Sequence, residues 1–553
     1  MKKIETVDLL TPFAEKMGDV PWEEYPRPSL VRDSYISLNG EWEVESKEFS
    51  GKIKVPFPPE SLLSGVGKSL GDAFAYKRKF TLPTGFNRGR VLLHFGAVDA
   101  EAKVFVNGVE VGFHEGGYLA FGFDVTELVN TGENSLEVRV VDLLDTELPY
   151  GKQSRKRGGM WYTPISGIWQ SVWLESVPTE YIERLEILPR LDSVKISVVG
   201  GNVRKMLTLD DGGRYEFSGE SIEIKIDEPE NWTPETPKLY GFTLECGQDR
   251  VRSYFALRTV ETEGNRILLN GKPYFFHGLL DQGYFSDGIY TPATPEGFEF
   301  DILEMKKLGF NMLRKHIKIE PELFYYYCDK YGMVVFQDFV NSGKYNFLID
   351  TALPTVGLKR GITHRASPSR RQRFERDGLD TIAQLYNHPS VCYYTIFNEG
   401  WGQYDADRIY KKMKNADPSR VFDATSGWFF EKESDVDSHH VYFKPIKLKI
   451  GKRPPVLSEF GGYSCKVEGH SFNLTKTYGY KYFQKTEELE KALERLYLDE
   501  VVPAVKQGLC AAVLTQVSDV EDETNGLVTY DRRVVKVGCE TMQKIRSKID
   551  ELI

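Results

Sequence analysis

The sequence predicts three parts: an N-terminal jelly-roll β-sandwich over residues 1–180, an immunoglobulin-like β-sandwich over 181–262, and a C-terminal (β/α)8 TIM barrel over 263–553. Three observations carry this. Short strands between turn signals fill the first part, alternating apolar and polar residues fill the second, and strands alternate with helical stripes through the rest. A length of 553 residues exceeds what one core serves, so several domains are expected.

In the first part, Ser37–Trp42, Arg90–Phe95 and Lys103–Val106 read as strands. Asn107-Gly108 closes the last as a hairpin turn, since both residues tolerate positive φ. In the second, Val194, Ile196 and Val198 alternate with polar residues, as do Ile222, Ile224 and Ile226. Trp232–Pro237 contains two prolines, which remove ladder donors, and reads as an extended loop.

In the third part, Thr294 reads as an N-cap with Pro295 at the first helical position, followed by Phe298, Ile302, Met305 and Leu308 at helical spacing and a stop at Gly309. Phe324, Tyr327, Cys328 and Tyr331 form another stripe ended by Gly332. Eight strand candidates follow the pattern: Tyr274–His277, Asn311–Arg314, Met333–Phe336, Val391–Phe397, Val421–Thr425, His439–Tyr442, Pro455–Leu457 and Cys510–Val517. The stretches between the fifth, sixth and seventh are too short for ordinary crossover helices. Either those helices are reduced or the count is off by one there.

Composition narrows the function. Hydrophobic residues make up 41% and charged residues 27%, as in soluble globular proteins. The net charge of −10 is spread along the chain, so there is no clustered basic face for nucleic acid. No apolar run approaches the roughly 18 residues of a membrane span, and Glu5, Asp8 and Glu15 interrupt any signal-peptide core. The six cysteines lack metal or disulfide spacing, which predicts a reduced, cytoplasmic protein without a metal site or cofactor.

Active sites of parallel barrels gather at the carboxyl ends of the strands. There Asn398-Glu399 follows the fourth strand, Ser458-Glu459 the seventh, and Arg314 ends the second. Strands four and seven face each other across a barrel mouth. Retaining glycoside hydrolysis needs two carboxyl groups roughly 5–5.5 Å apart, one to protonate the leaving oxygen and one to attack the anomeric carbon. Glu399 fits the general acid/base, Glu459 the nucleophile, and Asn398 a partner for the sugar 2-hydroxyl. Against this stands the plain reading in which each glutamate is a salt-bridge partner at a strand end.

Several stretches together resemble glycoside hydrolase family 2, the family of β-galactosidases and β-glucuronidases. Phe95–Asp99, Val106–Gly108 and Gly167–Trp169 resemble its sugar-binding jelly roll, and Trp232–Tyr240 with Phe255–Arg258 its immunoglobulin-like domain. Leu269–Pro273 resembles the barrel entry, Asn398-Glu399 the acid/base motif and Ser458–Gly461 the nucleophile motif. The resemblance implies a retaining exo-β-glycosidase in which Arg314 supports the nucleophile and His440 and Tyr442 line the site after strand six. It further implies that Asp338 holds a sugar hydroxyl and Asp281 binds the terminal sugar. Of the adjacent His439 and His440, one faces away. Trp161, Trp401 and Trp428 are candidates for stacking on sugar faces.

Two departures bear on the substrate. The β-glucuronidases of the family carry an Asn-x-Lys element that grips the sugar carboxylate, whereas this chain has Asn525-Gly526-Leu527. Strand eight lacks the usual tryptophan and shows Thr515-Gln516. A galactoside is therefore the first expectation. A uronide held by Lys315, Lys318, Lys344, Arg360 or Lys476 is the second, and a non-catalytic carbohydrate-binding protein the third. A small carbohydrate is the expected partner, with copies of the same chain as a further one.

Overall fold

A computed structural model describes residues 5–355, 358, 364–448 and 450–553. Arg360 lies outside the described residues. The first part is a sandwich of a six-stranded and a four-stranded antiparallel sheet. Their inner faces meet around Trp42, Tyr76, Leu93, Val104, Val138 and Leu174. Strands Glu101–Val106 and Val109–Glu115 join through Asn107 at φ 51° and Gly108 at φ 81°, the two left-handed residues a tight hairpin requires.

The second part packs a three-stranded sheet on a four-stranded one. Ile187, Val194, Ile196, Leu207, Ile224, Phe242 and Val251 fill the space between them. The proline-rich loop carries no ladder, as expected, yet it is structural. Trp232 is completely buried, and its Nε1 donates to the Asp329 carbonyl of a barrel helix at 2.8 Å.

The third part has eight parallel strands: β1 (Phe276–Asp281), β2 (Met312–Lys315), β3 (Val334–Asp338), β4 (Val391–Phe397), β5 (Val421–Thr425), β6 (Asp437–Val441), β7 (Pro455–Gly461) and β8 (Ala511–Thr515). The ladder runs β5-β4-β3-β2-β1-β8-β7-β6, which leaves one seam between β5 and β6. Asp435 bridges that seam: its N–H donates to the Phe422 carbonyl at 2.9 Å, and its Oδ2 accepts from Phe422 N at 2.8 Å. The count of eight holds, and the crossover helices are what is reduced. Among the described residues, no helix lies between β5 and β6 or between β6 and β7.

The first barrel helix spans Glu296–Lys307, and its N-cap position is taken by Pro295 and not, as expected, by Thr294. The Thr294 carbonyl accepts from Gly297 N at 3.0 Å while its hydroxyl makes no cap bond. The second helix, Glu322–Tyr331, ends at Gly332 with φ 72°, as its spacing predicts.

Trp232 and the hairpin strands Val260–Glu263 and Arg266–Leu269 close the amino end of the barrel. Trp232, Val260, Ile267 and Leu269 share one core with Phe276, Met312, Phe336, Tyr393, Val421 and Val513 of the strands. Among the described residues, no helix is long and apolar enough to cross a membrane.

The plug makes a prediction. Trp232→Ala removes the largest side chain of this floor and should cost about 3–5 kcal/mol, read as a lowered urea midpoint. A variant with wild-type stability would contradict the plug.

Candidate active site

Along each barrel strand, residues two apart share a face. Met312, Phe336, Val421 and Val436 sit in the apolar floor, so Arg314, Asp338, Asp423 and Ser438, two positions on, face inward one layer higher. The interior thus turns from apolar to charged toward the carboxyl end. All four of these polar residues are buried.

Arg314 is the centre of this layer. Its Nε donates to Asp338 Oδ1 at 2.9 Å. One terminal nitrogen donates to Glu459 Oε1 and the Ser458 carbonyl, each at 3.0 Å. The other donates to Asn398 Oδ1 at 2.9 Å and Ser426 Oγ at 3.2 Å. Burial opposes its charge, but the carboxylates of Asp338 and Glu459 outweigh that and hold the proton more firmly than usual.

Glu399 follows β4 in a short turn with φ 48°, a left-handed conformation that few non-glycine residues adopt. Its backbone N–H donates to Ser426 Oγ at 3.1 Å. Its Oε1 accepts from Trp428 Nε1 at 2.9 Å and lies 2.8 Å from His440 Nδ1. The guanidinium of Arg314 approaches His440 Nε2 at 3.4 Å. Both of these contacts of the Glu399 carboxyl fall on Oε1.

Glu459 sits where the β7 register slips against both neighbours, between His439 and His440 on one side and between Leu457 and Phe460 on the other. Such an irregularity re-aims a side chain; here Ser458 gives its carbonyl, and Glu459 its carboxylate, to Arg314. Glu459 Oε2 accepts from the Tyr442 hydroxyl. That hydroxyl lies 3.1 Å from Thr515 Oγ1, and the Tyr442 ring stacks on Tyr480 at 4.1 Å. Burial alone would raise the pKa of Glu459. His440, Arg314, His316 and the Tyr442 hydroxyl overcome it and pull the value down to about 2.

A carboxylate oxygen of Glu399, one of Glu459 and a ring nitrogen of His440 lie within 4.8 Å of one another. His440 therefore faces the carboxylates, while His439 packs against Phe430 with ring centroids 5.3 Å apart. Trp428 meets Glu399 through its N–H. Trp161 reaches the mouth from the N-terminal sandwich and stacks on Trp401 at 5.4 Å.

Two expected sugar contacts are placed elsewhere. Both Asp338 oxygens are used, by Arg314 and by His316 Nδ1 at 2.8 Å, and its side chain is fully buried. It orients Arg314 rather than meeting a sugar hydroxyl. Asp281 pairs in register with Lys315, one residue past Leu280 and Arg314, and so points through the opposite face of the wall. Its Oδ2 accepts from Lys315 Nζ at 2.6 Å, and that ammonium lies over the ring of Phe324 on a helix outside the barrel. Ser426 and His316 belong to the site and were missed. Ser426 follows β5 with nothing in its sequence to mark it, and His316 lies two residues past Arg314, just beyond the end of β2.

The depressed pKa of Glu459 has a sign. Its ionised form contributes stability that is present above the ordinary glutamate value of 4.5 and is lost as pH falls toward about 2. The gap in urea midpoint between wild type and Glu459→Gln should therefore narrow from pH 6 to pH 3. A gap independent of pH would contradict the assignment.

Comparison with known proteins places this geometry in a family. The sugar-binding domain of glycosyl hydrolases family 2 matches residues 15–178, and the TIM barrel domain of that family matches residues 260–549. A β-galactosidase of Aeromonas hydrophila is 28% identical over 408 residues, which are 66% of this chain and 37% of that protein. A β-glucuronidase of Homo sapiens is 27% identical over 397 residues, 62% of this chain and 58% of its own. The chain thus spans about half the length of the curated relatives it matches, or somewhat less. Among solved structures, the β-D-glucuronidase of Dictyoglomus thermophilum superposes with TM-score 0.77 at 20% identity, over 96% of this chain and 99% of that one. A β-galacturonidase of Eisenbergiella tayi gives 0.70 at 20% identity, over 96% and 100%. By its two matching domains, one of them covering more than half its length, the chain belongs to glycosyl hydrolase family 2.

Proposed function

We propose that this protein hydrolyses a terminal β-linked sugar with retention of configuration, through a covalent glycosyl-enzyme. The observation that carries the reading is the approach of Glu399 and Glu459 oxygens to within 4.8 Å. Inverting enzymes need roughly 6.5–9.5 Å between the carboxyl groups to admit a water. In the first step a Glu459 oxygen bonds to the anomeric carbon as the glycosidic C–O bond breaks, and Glu399 gives a proton to the leaving oxygen. In the second, Glu399 takes a proton from water, the water oxygen bonds to the anomeric carbon, and Glu459 leaves as carboxylate. Arg314 and Tyr442 hold Glu459 ionised and stabilise it again on departure.

Asn398 fits the sugar 2-hydroxyl, though its Oδ1 is occupied by Arg314 and Ser426, which leaves its amide N–H groups for the contact. A β-galactoside and a β-uronide are the two sugar classes. The uronide is favoured by Lys152, which is buried and has no ion-pair partner among the described residues. A carbohydrate-binding protein without turnover is the reading from another class.

Side-by-side assays on nitrophenyl β-galactoside, β-glucuronide and β-galacturonide separate these. Glu459→Gln should lower turnover on the order of 10⁴-fold or more. Glu399→Ala should lose least on substrates whose leaving group needs no proton. Near-normal rates in both variants, or equilibrium binding of glycosides without turnover in the wild type, would overturn the reading.

A further inference from the structure

The lysines expected to meet an acidic sugar are spoken for or peripheral. Lys315 is paired with Asp281 and Glu320, and Lys318 with Glu320. Lys344 and Lys476 are exposed. Lys152 of the N-terminal sandwich differs from all of these. It is 7% exposed, and among the described residues its ammonium has neither a hydrogen-bond acceptor nor a carboxylate within 4.0 Å. Lysine is almost never buried unless paired, because removing its charge from water has to be offset by an anion or acceptors.

Its position is rigid. Tyr150 N–H donates to the Asn341 carbonyl at 3.0 Å, and its hydroxyl to the Gly343 carbonyl at 3.1 Å, both in the segment after β3. Gly151 has φ 69°, and a Cβ there would lie 2.6 Å from the Tyr118 hydroxyl and 3.3 Å from the Ile317 carbonyl. Gln153 Nε2 donates to Asp99 Oδ2 at 2.8 Å and to the Tyr118 hydroxyl at 3.1 Å. The loop is thereby pinned over the ends of β2 and β3.

From there Lys152 Nζ lies 5.6 Å from the centre of the Tyr162 ring. Its charge acts on His316 after β2 and on Glu523 after β8, the two residues that also act electrostatically with Glu459. Glu523 is itself engaged by the Tyr162 hydroxyl and by Gln516 Nε2 at 3.3 Å, and it forms no ion pair with Lys152.

We propose that Lys152 is an anion-binding position on the β2–β8 flank of the sugar pocket, and that it receives the carboxylate of a terminal β-linked uronic acid. This rests on the glycosidase reading and names its substrate class. The cation comes from a different domain than the carboxylates that cut, so sugar selection and bond cleavage are built on separate parts of the chain.

The test uses the full chain and Lys152→Met, which keeps the apolar stem and deletes the charge. The ratio of kcat/KM on the better nitrophenyl uronide to that on the galactoside should fall about 100-fold, with the loss carried in KM, and Lys152→Arg should recover part of it. A ratio within threefold of wild type, or a wild type that cleaves the galactoside and neither uronide, overturns the proposal while the glycosidase reading stands. Calorimetric binding of free D-glucuronate and D-galacturonate reads Lys152 without turnover. Uronate binding that is lost in Lys152→Met, with no hydrolysis of any of the three glycosides, keeps the anion site and sinks the glycosidase reading. Uronate affinity unchanged in Lys152→Met overturns the proposal.

Discussion

The buried guanidinium of Arg314 is the contact on which the rest of the site depends. It sits on β2 and reaches Asp338 on β3, Asn398 after β4, Ser426 after β5 and both Ser458 and Glu459 on β7. A planar group with five N–H donors in fixed directions ties these elements to one geometry. It is held in return, since Asp338 is itself fixed by His316. Taking away one partner of such a buried pair leaves the other charge stranded, at a cost of about 3–5 kcal/mol. That cost locks the site against partial rearrangement. It also explains why Glu459 remains a carboxylate in surroundings that would otherwise protonate it.

The two glutamates are treated differently by the same barrel. Glu459 accepts from a guanidinium and a hydroxyl inside the wall, whereas Glu399 stands on a strained turn with 14% of its side chain exposed and meets the ring nitrogens of Trp428 and His440. One environment favours the charged form. The other has no guanidinium among its described partners, an asymmetry of the kind that acid/base chemistry between two like residues uses. The surrounding domains add to this. The loop with Trp232 seals the floor beneath Arg314, and the N-terminal sandwich brings Trp161 and Lys152 to the mouth.

Much of this was legible in the sequence because periodicity reports local environment. The eight strands, the hairpin at Asn107-Gly108 and the stop at Gly332 all follow from residue pattern. So does the gathering of Glu399, Glu459, Asn398 and Arg314 at one end of the barrel, whereas His440 and Tyr442 rest on the resemblance to the family. What the pattern does not carry is which wall face a strand-end residue takes. Asp281 and Arg314 both end strands, yet Asp281 pairs with Lys315 and points outward. Asp338 points inward but is consumed by Arg314 and His316. Ser426 has no signature, being a serine after a strand like many others. Lys152 was invisible for another reason: it lies far from the barrel in sequence, and only the docking of the sandwich brings it to the mouth.

The account stands or falls on Glu459 as the atom donor to the anomeric carbon. The most direct measurement is the mass of the intact protein after incubation with an activated 2-deoxy-2-fluoro glycoside of the preferred sugar, followed by peptide mapping. The account predicts one added fluorosugar per chain, attached to Glu459, and hydrolysis of the ordinary substrate to the β-anomer first. A label on another residue, or turnover that yields the inverted anomer without any adduct, would contradict it.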